Sequence, residues 1–381
     1  MESTKKAMIK SLHIENFKSI ENQTVNFDEF SMIIGENASG KTNLINAISF
    51  VRRIVLGSNV SEAHKMFAAT PSELLNKRSH TNVIKVSILL GDGDEAEYHL
   101  SYEFSLVDSP SSLKVLSISY EKLEVKNENK TEVVLERRGD SIISAGTVIP
   151  TNLKIESGIP AMAVVDNPSI QKVRRLFNRI YISTADVSVS TAKQPHTLEQ
   201  RVIEIISLLK KKSTEDFRKF EVVVKKLMPS LSSIVDVSEG VPAPLNSINE
   251  YQFLFKEKNM EGALSLKAGS HGDLRTFYIL ALTFLAGENS TIIAEEIENG
   301  IHTKRAKDLI EFLEKISYQG NKQLILSSHN PRLIGKVPFE KLIIVERSAD
   351  GASTYKKFTT SANLPALERF LEQGGDIAQL L

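Results

Sequence analysis

Two glycines, a lysine and a threonine at the spacing G-x-x-x-x-G-K-[ST] can grip a polyphosphate. This chain carries them as Gly35-Glu36-Asn37-Ala38-Ser39-Gly40-Lys41-Thr42, with Asn43 entering the helix that follows. In such a loop, backbone N–H groups and the positive end of the helix dipole face the anion. Lys41 would reach the β- and γ-phosphates, and the Thr42 hydroxyl would hold Mg²⁺. Binding alone needs nothing more, but hydrolysis needs metal ligation and a positioned water. The pair Glu295-Glu296, after the apolar run Thr291-Ile292-Ile293-Ala294, fits that need. Glu295 would orient Mg²⁺ through its waters, and Glu296 would polarise the attacking water. In isolation such a pair reads as a solvated helix start; the buried strand before it favours the functional reading.

Two further stretches carry usable groups. Leu326-Ser327-Ser328-His329-Asn330-Pro331 ends an apolar strand in small hydroxyls and a histidine, and Pro331 stops or redirects the chain. His329 could donate to a γ-phosphate or to the attacking water. Ala268-Gly269-Ser270-His271-Gly272-Asp273-Leu274-Arg275 opens an apolar helix with a serine and glycines, which suits a second anion-binding N-terminus. A glycine turn with a serine cap explains it equally well.

These groups need elements to hold them. Met32, Ile33 and Ile34 form an apolar run suited to a buried parallel strand, while Leu44, Ile45, Ala47, Ile48 and Val51 recur at helical spacing. The phosphate loop is therefore placed between strand and helix. Residues 1–7 read as a polar leader. In MIKSLHI, Met8, Leu12 and Ile14 share a face, although Lys10 falls on it and Ile9 opposite. VIKVSILL, YHLSYEFSL, KVLSISYEKLEV and TEVVLERR are β-branched and aromatic and predict an antiparallel meander with one wet face. Residues 168–231 turn helical, with Val202, Ile205, Ile206 and Leu209, then Phe220, Val223, Val224 and Leu227, at i, i+3, i+4, i+7. Lys172, Arg174, Arg175, Arg179, Lys210, Lys211, Lys212, Lys225 and Lys226 cluster there, as solvated helix faces or as a phosphate-backbone surface. Residues 240–249 read as a linker. Beyond it YQFLF, TIIA, LILSS and LIIVE alternate with helices, as in a helix-covered parallel sheet.

Composition sets the outer bounds. The 381 residues are 41% hydrophobic and 25% charged, ordinary for a folded soluble chain. With no cysteine, disulfides, thiolate metal sites and cysteine nucleophiles are excluded. Lys plus Arg and Asp plus Glu each number 47, so no global field points at nucleic acid, and any such surface would be local. No apolar run is long enough to span a bilayer, and the expected location is cytoplasmic.

Taken in order, IENFKSI, GENASGKTN, the serine–glycine stretch before LRTFYILALTF, IIAEEIENGIH and LILSSHNP resemble the ABC-type ATPase heads of the RecF, SMC and OLD-like group. The resemblance covers nearly the whole chain. It implies an α/β P-loop NTPase fold of ABC type, its nucleotide-binding domain split by an antiparallel meander and a helical insertion. The expected division is 1–70 and 241–381 for the ATPase halves, 71–150 for the meander and 151–240 for the insertion. It implies ATP and Mg²⁺ as cofactors, with Lys41 and Thr42 in Walker A, Glu295 and Glu296 in Walker B, and His329 as the switch histidine. Ser270 and Gly272 would meet the γ-phosphate bound by a second subunit, and Lys18 and Ser19 lie where family members approach the nucleotide. Glu295 stands where aspartate is usual, the signature reads AGSHGDLR, and no glutamine-loop residue is assigned.

Absent features narrow the expected function. Sustained heptads of SMC-like arms do not occur. About fifty residues follow His329, too few for an ordinary nuclease domain, so no nuclease activity of its own is expected. The resemblance implies a homodimer or higher oligomer closing around ATP and acting on a separate effector, a nuclease or toxin, in bacterial anti-phage defence. The alternative is a RecF-like DNA-binding scaffold or repair ATPase in which turnover is slow.

Overall fold

The computed structural model describes residues 8–93, 96–109, 113–127, 130–149, 158–183, 197–236, 253–330, 332–333 and 337–358. The leader, the 240–249 linker and Pro331 lie outside them. The described chain opens with strands β1 (Ile9–Phe17), β2 (Ile20–Asn26) and β3 (Phe30–Ile34), then helix α1 (Lys41–Val55) and the short α2 (Val60–Ala63). Next come β4 (Val83–Asp92), β5 (Ala96–Asp108), β6 (Lys114–Asn127), β7 (Lys130–Arg138), β8 (Ser141–Ser144) and β9 (Thr147–Ile149). Helix α3 (Pro168–Asn178), β10 (Ile180–Ser183), α4 (Leu198–Lys212) and α5 (Thr214–Leu227) follow, then β11 (Leu231–Asp236), β12 (Phe253–Glu257) and β13 (Leu264–Ser265). The last group is α6 (His271–Leu285), β14 (Thr291–Ala294), α7 (Thr303–Gln319), β15 (Gln323–Ser328), β16 (Leu342–Arg347) and β17 (Ser353–Lys357).

The apolar runs of the ATPase halves meet in one six-stranded sheet, ordered β10-β14-β15-β3-β16-β17. The first five strands are mutually parallel, and β17 closes the edge as the antiparallel arm of a hairpin with β16. Successive side chains go to opposite faces: Ile33, Ile293, Ile325 and Ile343 join one core. Met32, Ile34, Ile292, Leu324, Leu326 and Leu342 join the other. Both faces are therefore dry, which is why these strands read as continuous hydrophobic runs instead of alternating ones. The first core is shared with α1, α3 and the antiparallel sheet; the second with α4, α5, α6 and α7.

The second sheet has eight strands, β2-β1-β4-β5-β6-β7-β8-β9. The two strands before the phosphate loop thus share a sheet with the meander. The mismatch at the start of β1 resolves through a register shift between Ile9 and Ser11 against β4. The extra residue of a bulge lets Ile9, Leu12 and Ile14 all bury completely while Lys10 keeps its ammonium beside Glu97. A buried polar network ties this sheet to the chain after it. Glu121 is fully buried and accepts from Ala161 N at 2.6 Å, Met162 N at 3.1 Å and the Tyr102 hydroxyl at 3.1 Å. Within the stretch that reads as helical, residues 180–183 instead form β10, the outer strand beside β14. β11 pairs with β12 in a third, three-stranded sheet.

Candidate nucleotide-binding site

Strand order decides which loops meet. β14, β15 and β3 are adjacent and parallel, so Glu295, His329 and Gly35 leave the same edge of the sheet. Ser328 pairs directly with Ile34, and Ala294 with Leu326, which fixes the relative heights of the three exits. This is the carboxyl edge, where ligands of open α/β sheets bind.

The phosphate loop has the shape an anion requires. Gly40 sits at φ +116° and Ala38 at φ +63°, and a Cβ on Gly35 would lie 2.3 Å from the Val345 carbonyl oxygen. Helices α2 to α7 all receive a side-chain N-cap hydrogen bond. α1 has none and carries no acid in its first turn, so its positive end is left for an anion. The Ser39 hydroxyl is buried and has no hydrogen-bond partner among the described residues. Thr42 is exposed at the first turn, while Lys41 is only 6% exposed and its Nζ donates to Gly35 O at 2.7 Å and Glu36 O at 2.6 Å. To grip a phosphate, Lys41 must exchange those two carbonyls for phosphate oxygens. The residues present fit a nucleoside triphosphate.

The acids come to the lysine. Burial draws the Lys41 ammonium below its ordinary pKa, and the carboxylates of Glu296, Glu298, Glu295 and Glu36 push it back up. Glu295 is buried, and its carbonyl takes a hydrogen bond from the equally buried Arg275 of α6. Glu296 is half-buried and holds φ +45°, a left-handed conformation costly for a residue with a Cβ. It is pinned there by Ser327 Oγ, which accepts from Glu296 N at 3.1 Å, and by Asn299, whose Nδ2 reaches Glu296 Oε2 at 3.3 Å. Among the described residues no group of three or more acids or histidines is disposed to hold a metal. A Mg²⁺ of this kind needs only one or two protein ligands plus phosphate oxygens and water, and Thr42 with Glu295 suits that demand.

His329 is 38% exposed, and its Nδ1 lies 3.1 Å from Glu298 Oε1. The same oxygen accepts from His329 N at 2.8 Å and Asn330 N at 3.2 Å. Glu298 Oε2 is buried and has no hydrogen-bond partner among the described residues. Sequence reading passed over Glu298; the signal was a third acid two positions past Glu296, beyond one apolar residue. It also passed over Arg275.

Ser270 is the N-cap of α6, in a capping box: its Oγ accepts from Asp273 N at 3.1 Å and Ser270 N donates to Asp273 Oδ2 at 3.2 Å. Gly272 is buried against the acidic turn, where a Cβ would stand 2.0 Å from Gly300 O. Ser19 and Asn43 engage each other and the phosphate loop, with Asn43 Nδ2 donating to Ser19 Oγ at 2.7 Å. Lys18 holds φ +51°, and burial lowers its ammonium's pKa. Asn37 sits in the loop between Glu36 and Ala38 and is exposed. Of the basic clusters, Lys172 pairs with Asp92 and Lys210 with Asp236. Arg174 and Lys212 donate to the Leu56 and Leu285 carbonyls. These four serve the fold.

A doubly covered parallel sheet, with a phosphate loop, paired acids and a histidine on neighbouring strand ends, is the fold of P-loop ATPases. Comparison with known proteins narrows the class. Residues 8–139 match the family described as "RecF/RecN/SMC N terminal domain". Residues 162–335 match the one described as "AAA domain, putative AbiEii toxin, Type IV TA system". The DNA replication and repair protein RecF of Oceanobacillus iheyensis is 25% identical over 280 residues, covering 71% of this chain and 74% of that protein. The DNA double-strand break repair Rad50 ATPase of Methanococcus maripaludis is 21% identical over 275 residues, which is 70% of this chain and 23% of Rad50. An SMC head bound to the C-winged helix domain of ScpA matches the fold with TM-score 0.54 at 16% identity, over 92% of this chain and 97% of that one. An SMC head with an extended coiled coil, bound to the C-terminal domain of ScpA derived from Pyrococcus furiosus, gives 0.52 at 15% identity, over 96% and 99%. These matches make the chain similar to the ABC-type ATPase heads of the RecF/SMC-like group.

Proposed function

We propose that this head binds ATP with Mg²⁺, closes into a homodimer or higher homo-oligomer around it, and reopens on hydrolysis. The observation that carries the reading is the convergence of Lys41 with Glu295, Glu296 and Glu298, drawn from chain segments about 250 residues apart, on one edge of the sheet. Lys41 binds and neutralises phosphate oxygens. Thr42 and Glu295 would hold Mg²⁺, which would supply positive charge against the phosphate oxygens. Glu296 takes a hydrogen bond from the attacking water and aligns it with the γ-phosphorus; the water oxygen bonds to that phosphorus as its bond to the β–γ bridging oxygen breaks, ADP leaves, and the water's proton ends on the released phosphate. With Nδ1 turned to Glu298, His329 presents Nε2 to the water or the γ-phosphate.

The output goes to a separate effector, a nuclease or toxin, in bacterial anti-phage defence, and the protein works in the cytoplasm. The description of the second matching family supports an effector-linked role. A second reading, a DNA-repair ATPase that binds DNA as a scaffold, is supported by the names of the RecF and Rad50 relatives. A steep fall of DNA affinity with salt would favour it. No described helix is long and apolar enough to cross a membrane.

Two substitutions test the division of labour. Lys41→Ala removes a charged hydrogen bond and should weaken ATP affinity by ~10-fold or more by calorimetry. Glu296→Gln should leave that affinity within about twofold, lower turnover by ~100-fold or more, and prolong the ATP-bound assembly in sedimentation. Equal loss of binding in both would overturn the assignment.

A further inference from the structure

The phosphate loop does not hold its shape alone. Three successive carbonyls, those of Ala38, Ser39 and Gly40, each accept a hydrogen bond from one remote hairpin. Arg347 Nη1 donates to Ala38 O at 2.8 Å, Ser353 Oγ to Ser39 O at 2.6 Å, and the Tyr355 hydroxyl to Gly40 O at 2.8 Å. Strand geometry makes this possible. In the β16–β17 register Arg347 faces Ser353 and Val345 faces Tyr355, so these four side chains share one face of the hairpin. That face is pressed on the loop, since a Cβ on Gly40 would lie 2.2 Å from Ser353 Oγ; separately, the backbone edge of β16 closes on the loop's start, where a Cβ on Gly35 would lie 2.3 Å from Val345 O.

A hydroxyl has one proton, which gives the contacts a direction. Ser353 gives its proton to Ser39 O, so the 2.7 Å contact between Ser353 Oγ and Ser19 Oγ must be donated by Ser19. Ser19 Oγ in turn accepts from Asn43 Nδ2. The chain runs Asn43 to Ser19 to Ser353 to the loop. Ser353 and Tyr355 are buried, and burial pushes the Tyr355 phenol well above its ordinary pKa, keeping it a neutral donor.

We propose that Arg347, Ser353 and Tyr355 are positioning residues for polyphosphate binding. In a trans peptide the C=O of one residue and the N–H of the next point opposite ways. Holding Ser39 O toward the hairpin therefore turns the Gly40 N–H away from it, toward the phosphates, while Gly40 O, which also accepts from Asn43 N at 3.0 Å and Leu44 N at 3.3 Å at the start of α1, takes the Tyr355 hydroxyl as a further donor that steadies the peptide carrying the Lys41 N–H. Ser39 N, on the third peptide, closes the turn by donating to Glu36 O at 3.2 Å.

This inference rests on the ATP-binding reading, and its test separates the two. Affinity for ATP and for ADP, each with Mg²⁺, is measured by calorimetry on the full chain alongside the melting temperature without nucleotide. Tyr355→Phe and Ser353→Ala should each weaken both nucleotides by the same factor, ~5-fold, and the double variant by ~20-fold or more, as expected for neutral hydrogen bonds lost from a binding site. In turnover the loss should fall on KM, with kcat within about twofold. Tyr355→Phe keeps the ring in the core, so the melting temperature should move little. If the double variant binds both nucleotides as tightly as the parent, the inference is overturned and the ATP reading stands. If the parent chain binds neither nucleotide, both are overturned.

Discussion

Glu298 sets where His329 sits. One carboxylate oxygen collects the His329 and Asn330 amides and faces His329 Nδ1, so backbone and ring are fixed by the same group. Glu298→Gln keeps an oxygen that can accept both amides but removes the charge facing the ring. The expected outcome is ATP affinity within about twofold and a turnover rate lower by ~10-fold, read in a steady-state phosphate-release assay. Removal of the acceptor in Glu298→Ala should add a stability loss of about 1–3 kcal/mol, because two N–H groups are left without it. Glu296 shows the complementary economy. Its φ of +45° is strain held in place by Ser327 and Asn299, at the position where a water-orienting base is proposed.

At the scale of elements, α6 reaches the acidic turn only because two glycines touch there. Gly272 lies against Gly300, itself at φ +74°, and Arg275 one turn on reaches the Glu295 carbonyl. Gly272→Ala would drive a Cβ into the Gly300 backbone, which cannot move without shifting the acidic turn after β14. A loss of about 1–3 kcal/mol in denaturant unfolding is expected, with turnover falling too. Which parts of this were legible in the sequence follows from burial. β3, β14 and β15 announce themselves because both faces are dry and every position but Gln323 is apolar or small. α1 does so because its stripe of Leu44, Ile45, Ile48 and Val51 is unbroken. β17 was invisible: of Ser353-Thr354-Tyr355-Lys356-Lys357 only Ser353 and Tyr355 are buried, and no apolar alternation marks it. β10 was hidden by its four-residue length after a helix. The bulge in β1 broke the alternation that would have revealed its inner face. The phosphate loop and acids could be read because their chemistry is local. The residues that position them, 314 and 315 positions away in sequence for Ser353 and Tyr355, could not, since only the fold makes them neighbours.

For the molecule as a whole, the proposed closure of two heads turns on Ser270, and its place in the fold offers a clean separation of stability from assembly. The serine hydroxyl already accepts from Asp273 N as a helix cap, and removing it would cost about 1 kcal/mol whatever happens at an interface. Ser270→Ala therefore confuses two effects. Aspartate caps a helix as well as serine does, so Ser270→Asp should leave the melting temperature of the isolated chain unchanged. It also sets a negative charge where a partner's γ-phosphate would approach, and like charges at an interface are strongly disfavoured. Sedimentation in the non-hydrolysing Glu296→Gln background gives the readout. With ATP and Mg²⁺ the Glu296→Gln chain should associate, and the chain carrying both changes should stay at monomer mass while binding ATP as before. Undiminished association would show that the α6 N-terminus does not face the partner's nucleotide, and the trans contact would have to be sought elsewhere on the head.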